Sequence, residues 1–155
     1  MLICIDLSAL YFAIRDLSIT INYEKLVSEL KSTFDEKAEI HCFTIANEKN
    51  VSQQKFLARL EQLGVELHVY PSNTPPNFTT EICTWVAISG KDEAIILSND
   101  SGLIRTFDML KNVGKKITLS FFSEKLQGPW TPRVLSGEIE FFDLSAPEIK
   151  SKISE

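Results

Sequence analysis

Two aspartates stand directly behind runs of apolar residues. Asp6 follows LICI at residues 2–5, and Asp100 lies in the polar run SNDS, residues 98–101, which follows AIIL at 94–97. A carboxylate among apolar side chains is costly unless a helix N-cap bond, an ion pair or a metal compensates it. If each apolar run is a central strand, both aspartates lie past a strand's carboxyl end, where open α/β sheets bind ligands.

Carboxylates that converge in a cleft raise one another's pKa unless a cation neutralises them. Their hard oxygen atoms suit Mg²⁺ or Mn²⁺, which one or two carboxylates hold while water and phosphate keep the remaining positions. Such an ion stabilises charge on a phosphodiester and makes a bound water more acidic, so that hydroxide attacks phosphorus. The chemistry that Asp6 and Asp100 would support together is therefore metal-assisted phosphodiester hydrolysis.

A structural interpretation of the same residues stays open. Asp, Ser and Asn ahead of a helix are typical N-caps, so Asp6 or Ser8, and Asp100 or Ser101, would simply accept backbone N–H bonds. Spacing weighs against three other uses of an aspartate after the first strand. Ser8 stands where an aspartyl-nucleophile phosphatase needs its second Asp. A von Willebrand-type metal site needs a hydroxyl residue four positions after the first Asp, and Leu10 stands there instead. The third strand is followed by PSNTPP, which lacks the phosphoacceptor Asp of a response-regulator receiver.

Short apolar runs alternate with amphipathic ones along the chain. Strands are predicted over residues 2–5, 39–45, 65–70, 94–97, 117–122 and 139–142. Between them, apolar residues recur with helical spacing around 23–34, 56–63 and 103–110. The residues placed to end or begin helices are Gly64, Gly90, Gly114, Asn22 and Ser52. This rhythm predicts an α/β fold with three α/β/α layers around a mainly parallel sheet of five to six strands.

Length and composition indicate one domain. The chain has 155 residues, of which 44% are hydrophobic, enough to bury one substantial core. We expect a single domain over residues 1–145, with a breaker-rich loop at 71–80 and a polar tail at 146–155 that frays or forms one short helix. The formal net charge of −5 argues against binding nucleic acid through net positive charge, though not against a local basic rim or a metal.

The three cysteines, Cys4, Cys42 and Cys83, are widely spaced among apolar residues, as expected of buried thiols in a reducing compartment. His41 and His68 stand alone in strand-like runs, so both are interpreted as structural or half-exposed strand residues rather than zinc ligands. The N-terminus lacks a charged leader with a cleavage site, and no run reaches about 18 apolar residues. We therefore expect a cytoplasmic protein that does not enter a membrane.

These segments resemble the NYN domain, a branch of the PIN-like nuclease superfamily that includes the LabA-like proteins. The similar segments run nearly end to end: ICIDLSALYFA, INYEKLVSELKS, FLARLEQLGVELHVYP, EAIILSNDSGLIRTFDMLKNVGKKITLSFFS and PRVLSGEIEFFDLS. The resemblance implies a PIN-like fold and a Mg²⁺- or Mn²⁺-dependent ribonuclease. It assigns Asp6, Asp100 and Glu81 as metal ligands and catalytic residues. Glu81 would equally suit the first turn of a helix that Thr79 or Thr80 caps.

The chain departs from the family pattern at three positions. Where the family has an Asn after its first Asp, this chain has Ala9, and where the family has the second Asp of its Ser-Gly-Asp-Ser-Asp motif, it has Gly102. The family also has an acidic residue near the position of Pro75. These losses weaken a divalent-ion site. The sequence thus predicts a metal-dependent endoribonuclease with a degenerate site. The alternative is a non-catalytic NYN-like module that binds RNA, a protein partner or a second copy of itself.

A ribonuclease also needs cationic and polar contacts with its substrate. The predicted substrate-binding residues flank the two aspartates: Arg105, Ser8, Asn99 and Ser101. Arg105 lies about one helical turn beyond Asp100, whereas Lys115 and Lys116 are typical of a solvated turn.

The two tryptophans are assigned to different surroundings. Trp85 shares a helix face with Ile82 and Val86, so it is expected in the core. Trp130, in the segment QGPWTPR, is expected to be exposed, where it would stack on a base or contact a partner.

Overall fold

The structure, a computed structural model, describes residues 1–73 and 77–155. Within those residues six strands form one sheet: β1 Leu2–Asp6, β2 Glu39–Ala46, β3 Glu66–Pro71, β4 Glu93–Leu97, β5 Lys116–Phe121 and β6 Glu140–Asp143. Their order is β3-β2-β1-β4-β5-β6, and every neighbouring pair is parallel. The predicted α/β fold with a mainly parallel sheet is confirmed, and each predicted strand bound lies within one residue of the observed one.

Seven α-helices flank the sheet in the described part of the chain: α1 Leu7–Asp16, α2 Tyr23–Thr33, α3 Val51–Gln62, α4 Phe78–Ile88, α5 Leu103–Asn112, α6 Thr131–Leu135 and α7 Pro147–Ile153. Two 3₁₀ turns, Ser123–Lys125 and Gly128–Trp130, lie between β5 and α6. Helices α1, α2, α3 and α7 pack on one face of the sheet, and α4 and α5 pack on the other. The longest described helix, α3, has 12 residues, so none of those described has the length and apolarity to cross a bilayer.

The central strands are buried on both faces because helices cover both. In β1, Ile3 and Ile5 point to the α1 face, whereas Leu2 and Cys4 point to the α4 face. Successive side chains of a strand alternate between faces, so Asp6 follows Leu2 and Cys4 onto the α4 side. This alternation places a carboxylate at the carboxyl end of a strand whose other residues are apolar.

The beginnings of α2 and α3 test two predicted N-caps. Asn22 caps α2, since its side chain accepts a bond from the Lys25 N–H at 3.0 Å. Helix α3 is capped by Asn50, which accepts from the Gln53 N–H at 3.1 Å. The prediction of Ser52 as this cap was wrong, because α3 begins directly after Asn50 and Ser52 already lies in its first turn.

Three glycines follow helices as predicted: Gly64, Gly90 and Gly114. Each has a positive φ, between 71° and 86°, a conformation that glycine adopts without the strain a side chain would bring. They end α3, α4 and α5 and turn the chain into β3, β4 and β5.

Residues 146–155 contain helix α7, which packs on the α2 side of the sheet. Ile149 and Ile153 are buried in the core. The Asn22 N–H donates to the Ile153 carbonyl at 2.9 Å. Because the two isoleucines are four residues apart, they share one face of α7 and hold this polar segment to the domain.

Trp130 is fully buried, so the expectation that it is exposed was wrong. The turn Gly128–Trp130 folds the β5–β6 connection back over α5, where the Trp130 ring meets Phe107 edge to face with centroids 5.0 Å apart. Trp85, expected in the core, is half-buried and packs against the apolar cluster that contains Phe107 and Trp130. Proline and glycine around Trp130 are typical of loops, and the local composition therefore concealed its burial.

Replacing Trp130 by alanine should lower the free energy of unfolding by about 3–5 kcal/mol, the usual cost of truncating a buried aromatic side chain. Trp130→Phe should cost clearly less, because phenylalanine keeps a ring against Phe107 and removes an indole N–H that has no hydrogen-bond partner among the described residues. Urea denaturation followed by circular dichroism measures both changes.

Leu135→Ala is the control for this prediction, because the Leu135 side chain is 82% exposed. It should change the free energy of unfolding by less than about 0.5 kcal/mol. A Trp130→Ala variant as stable as this control would contradict the buried position of the indole.

Candidate active site

The strand order of the sheet reverses between β1 and β4. From β1 the chain continues to β2 and β3 on one side, and from β4 it continues to β5 and β6 on the other. Open α/β sheets bind ligands in the crevice at the carboxyl ends of strands at such a switch point. Asp6 ends β1 and residues 98–101 follow β4. Both predicted aspartates therefore lie at this crevice.

Ser98 joins the two aspartates. Strands β1 and β4 pair in register up to Ile5 and Leu97, so the residues that follow, Asp6 and Ser98, are neighbours. The Ser98 hydroxyl donates to Asp6 Oδ2 at 3.2 Å, and its oxygen accepts a bond from the Asp100 N–H at 3.2 Å. Ser98 is fully buried. It was not among the predicted site residues, although its position directly after β4 puts it on the same face as Asp6.

Asp6 combines the two roles that the sequence left open. It is the N-cap of α1, with Oδ1 accepting the Ala9 N–H at 3.0 Å, and it also points into the crevice beside Ser98. Burial raises the pKa of Asp6, and the nearby charge of Asp100 raises it further, while the bonds from Ala9 and Ser98 act in the opposite direction. No lysine or arginine of the described chain is paired with this carboxylate.

Asp100 ties the first turn of α4 to the loop after β4. Its Oδ1 accepts the Gly102 N–H at 2.9 Å, and its Oδ2 accepts the Thr79 hydroxyl at 3.1 Å. Thr79 was considered only as a helix cap, but α4 is capped by Asn77, which accepts from the Thr80 N–H at 3.4 Å. Thr79 is instead free to reach the candidate site, a role that its position on the helix did not reveal.

Glu81 lies in the first turn of α4 but faces β3. Its Oε2 accepts the Tyr70 hydroxyl at 2.9 Å. Burial and this bond raise the pKa of Tyr70 to about 12, so that the phenol remains a donor. Among the described residues, the oxygens of Asp6, Asp100 and Glu81 do not form a set lying within 4.8 Å of one another. The structure thus joins the two aspartates and holds the glutamate to one side.

The predicted substrate-binding residues have different surroundings. Asn99 donates to the Lys125 carbonyl at 2.9 Å, and the Ser101 N–H donates to Gln127 Oε1 at 2.8 Å. These bonds hold the β5–β6 connection against the crevice. Ser8 is half-buried in the first turn of α1.

Arg105 is the exposed cation of the first turn of α5, and it forms no hydrogen bond or ion pair with another described residue. Lys115 and Lys116 lie at the start of β5, which is the amino edge of the sheet. They are therefore remote from the aspartates. Lys116 is exposed, as expected of a solvated turn, whereas half-buried Lys115 donates through Nζ to the Lys91 carbonyl. Lys125 lies on the crevice side and pairs with Asp16 at 3.4 Å.

A groove of about 730 Å³ opens between α1 and α3, and its lining begins at Leu7, the residue after Asp6. Its walls are mainly apolar and aromatic, with a few hydroxyl and amide groups: Leu7, Ser8, Tyr11, Phe12, Tyr23, Thr44, Ile45, Asn50, Ser52, Gln53, Phe56 and Leu57. Tyr11 and Phe12 are 60% and 50% exposed, which is unusual for large aromatic side chains. The groove therefore offers exposed ring surface on α1, the helix that follows the first aspartate.

A parallel sheet in the order β3-β2-β1-β4-β5-β6 is that of a doubly wound α/β domain, and acidic side chains lie at its switch point. A family model described as NYN domain matches residues 1–136, and the chain belongs to that family, a branch of the PIN-like nuclease superfamily. Comparison with curated proteins and with solved structures gave no significant match. The matched region includes both aspartates and ends before β6 and α7.

The departures from the family pattern fall at the centre of this site. The Ala9 N–H contacts Asp6, and a Cβ atom at Gly102 would lie 3.2 Å from Asp100 Oδ1. A carboxylate at position 102 would thus lie against Asp100 at the crevice. Pro75, the third departure, lies outside the described residues.

Asp6→Asn should stabilise the protein at pH 7. The folded state raises the pKa of Asp6, so protonated Asp6 contributes its whole stabilisation at pH values below the ordinary aspartate pKa of about 3.9. This contribution is lost as the pH rises through the pKa of Asp6 in the folded protein. Asparagine keeps an acceptor for the Ala9 N–H without the buried charge. We expect a gain of about 0.5–2 kcal/mol in the free energy of unfolding at pH 7, shrinking toward pH 4, in urea titrations.

Asp35→Asn is the matched control, because the bond from the Lys37 N–H and the N-terminal ammonium lower the pKa of half-buried Asp35. This variant should show no gain at pH 7. Equal gains in both variants would mean that the loss of any negative charge, rather than the burial of Asp6, stabilises this acidic chain.

Proposed function

We propose that this protein is a metal-dependent endoribonuclease with a weakened site centred on Asp6 and Asp100. The observation that carries the proposal is the hydrogen-bonded link Asp6–Ser98–Asp100 at the switch point of a chain that belongs to the NYN family. RNA is the proposed substrate, and a reducing cytoplasm is the proposed compartment, in keeping with three free cysteines in the described residues.

The donor set fits Mg²⁺ or Mn²⁺. The carboxylate oxygens of Asp6 and Asp100 each accept one bond from the protein, and each oxygen has a second lone pair. The buried Asp6 carboxylate has no protein cation to neutralise it, so a divalent ion would remove an electrostatic cost. When bound, such an ion stabilises charge on the phosphodiester and acidifies a water molecule. Glu81, whose Oε2 accepts the Tyr70 hydroxyl, would join only by moving toward the aspartates.

The protein's own groups divide the remaining work. Ser98 orients Asp6 and fixes the backbone at Asp100, while Thr79 holds the second carboxylate. Arg105 is placed to contact a phosphate of the RNA backbone, because it lies in the first turn of α5, the helix that begins just after Asp100. It forms no hydrogen bond or ion pair with another described residue. Ser8, Asn99 and Ser101 line or support the crevice.

The groove between α1 and α3 suits a base that has left its stack. Exposed Tyr11 and Phe12 provide ring faces, and the hydroxyl and amide groups of Ser8 and Gln53 provide donors and acceptors. Single-stranded RNA is commonly bound by such stacking surfaces. With a net charge of −5, affinity must come from stacking, from the ion and from a few local cations rather than from the overall field.

A second candidate function is RNA binding without cleavage. It is favoured by Ala9 and Gly102, which leave the site short of an amide and a carboxylate, and by the intramolecular bonds that already occupy all four oxygens of the two aspartates. Two carboxylates with water still suffice for Mg²⁺, so the first candidate is preferred.

The test is cleavage of single-stranded and structured RNA by the purified protein with Mn²⁺ or Mg²⁺ and a chelator control. Asp6→Asn and Asp100→Asn should each lower the rate by about 100-fold or more, because each removes one of few metal ligands. Asp92→Asn, an exposed carboxylate at the amino edge of the sheet, should leave it unchanged. Cleavage that survives in both site variants would reveal a contaminating nuclease, and binding without cleavage would establish the second candidate.

Gly102→Asp should strengthen the site. The backbone at Gly102 has φ −60°, which any residue adopts, and its Cβ would meet only side-chain atoms, Asp100 Oδ1 at 3.2 Å and Thr79 Oγ1 at 3.4 Å. We expect tighter Mn²⁺ binding by at least about tenfold and faster cleavage, since one more charged ligand is added.

Gly102→Ser is the control for this gain, because it fills the same space without a charge. It should not tighten Mn²⁺ binding appreciably in a calorimetric titration. A Gly102→Asp variant that binds Mn²⁺ no better than the serine variant would refute the placement of the ion beside Asp100.

A further inference from the structure

The two histidines of the chain meet on one face of the sheet. In the β2–β3 register His41 pairs with Glu66, and Phe43 pairs with His68. Since strand side chains alternate, Glu66 and His68 point to the same face as His41. The expectation that the histidines stand alone was wrong, because sequence separation concealed a contact that the parallel pairing of β2 and β3 creates.

The distances among these three residues are those of a ligand set. His41 Nδ1 lies 2.9 Å from His68 Nε2 and 3.5 Å from Glu66 Oε2. All three ligand atoms lie within 4.8 Å of one another, and no other group of three or more His, Cys, Asp or Glu residues does so among the residues described. Atoms about 2.0–2.1 Å from a tetrahedral Zn²⁺ lie about 3.3 Å apart, so the nitrogens need to separate by only about 0.4 Å.

Neighbouring side chains hold both imidazoles in place. The His68 ring stacks on Phe43, with ring centroids 4.6 Å apart and planes inclined by 11°. The ring centroids of His68 and Trp85, on α4, are also 4.6 Å apart. His41 is buried, and its second nitrogen, Nε2, lies 3.7 Å from Glu39 Oε2. A carboxylate behind the ring is the usual arrangement for a metal-binding histidine, because it orients the ring and strengthens the ligand.

We propose that His41, Glu66 and His68 form a binding site for a divalent transition-metal ion, with Zn²⁺ the best match. Two imidazoles and one carboxylate are a common zinc ligand set, and they leave a fourth position for water. That position faces solvent, since the Glu66 side chain is 59% exposed. Mg²⁺ prefers oxygen ligands alone and would not bind here.

The bound ion would tie the edge strand β3 to β2 beneath α4. Two of its ligands lie on β3, which has a neighbour on one side only, and the third lies on β2. An ion that binds the folded state and not the unfolded one raises stability with its concentration. Zinc would therefore stabilise this side of the sheet, independently of the aspartates at its carboxyl edge.

Calorimetric titration of the full chain with Zn²⁺ tests the site. One ion per chain is expected, and His68→Gln and Glu66→Gln, both at residues that are not fully buried, should each weaken binding by about 100-fold or more. Glu93→Gln, at an exposed glutamate on β4, is the control and should leave binding unchanged. Asp6→Asn should also leave it unchanged, so that failure here and failure of the proposed nuclease site are distinguished.

Nuclear magnetic resonance of the histidine rings gives a second readout, because the chain has only two histidines. Zn²⁺ should shift the ring signals of both, and Mg²⁺ should shift neither. Zinc binding that depends on Cys83, tested with Cys83→Ser, and leaves the ring signals unmoved would overturn the proposal. So would the absence of zinc binding by folded protein, which would leave the contact as a structural hydrogen bond.

Discussion

The hydrogen bond between Ser98 and Asp6 joins residues that are 92 positions apart, and the arrangement of the candidate site depends on it. It forms only because β1 and β4 lie side by side and in register. A carboxylate at the end of a fully apolar strand would otherwise face a cost of several kcal/mol without compensation. Ser98 and the Ala9 N–H offset part of that cost, and the pKa of Asp6 remains raised, which leaves the carboxylate suited to a cation.

The carboxylates of the proposed site also serve the fold. Asp6 caps α1, and Asp100 fixes the turn at Gly102 and holds Thr79 of α4. A helix cap and a magnesium ligand make similar demands on a carboxylate, because both use one of its oxygens as an acceptor of positive charge or of a hydrogen bond. Hydrogen bonds within the protein therefore hold both carboxylates in place.

The two proposed sites, which differ in chemistry, lie on the α4 face of the sheet. One is made of oxygens at the end of β1, and the other combines imidazole nitrogens with a carboxylate across β2 and β3. Fully buried Phe43 lies between them, since it pairs in register with Asp6 on one side and His68 on the other. Carboxylate oxygens favour Mg²⁺ or Mn²⁺, whereas imidazole nitrogens favour Zn²⁺. The two sites can therefore be examined with different ions.

Periodicity and turn residues determined the fold of this protein before any contact was known. Apolar runs such as LICI and AIIL favour strands, and Gly64, Gly90 and Gly114 favour the turns between helices and strands. These preferences are local to each segment, and the strand bounds predicted from them lie within one residue of the observed bounds. The placement of Asp6 and Asp100 at one edge also followed, because all strands of a parallel sheet end on the same side. Tertiary structure alone decided the bridging role of Ser98, the pairing of His41 with His68 and the burial of Trp130. Each of these depends on which strands are neighbours or on how a loop folds over a helix, and no local pattern encodes such contacts.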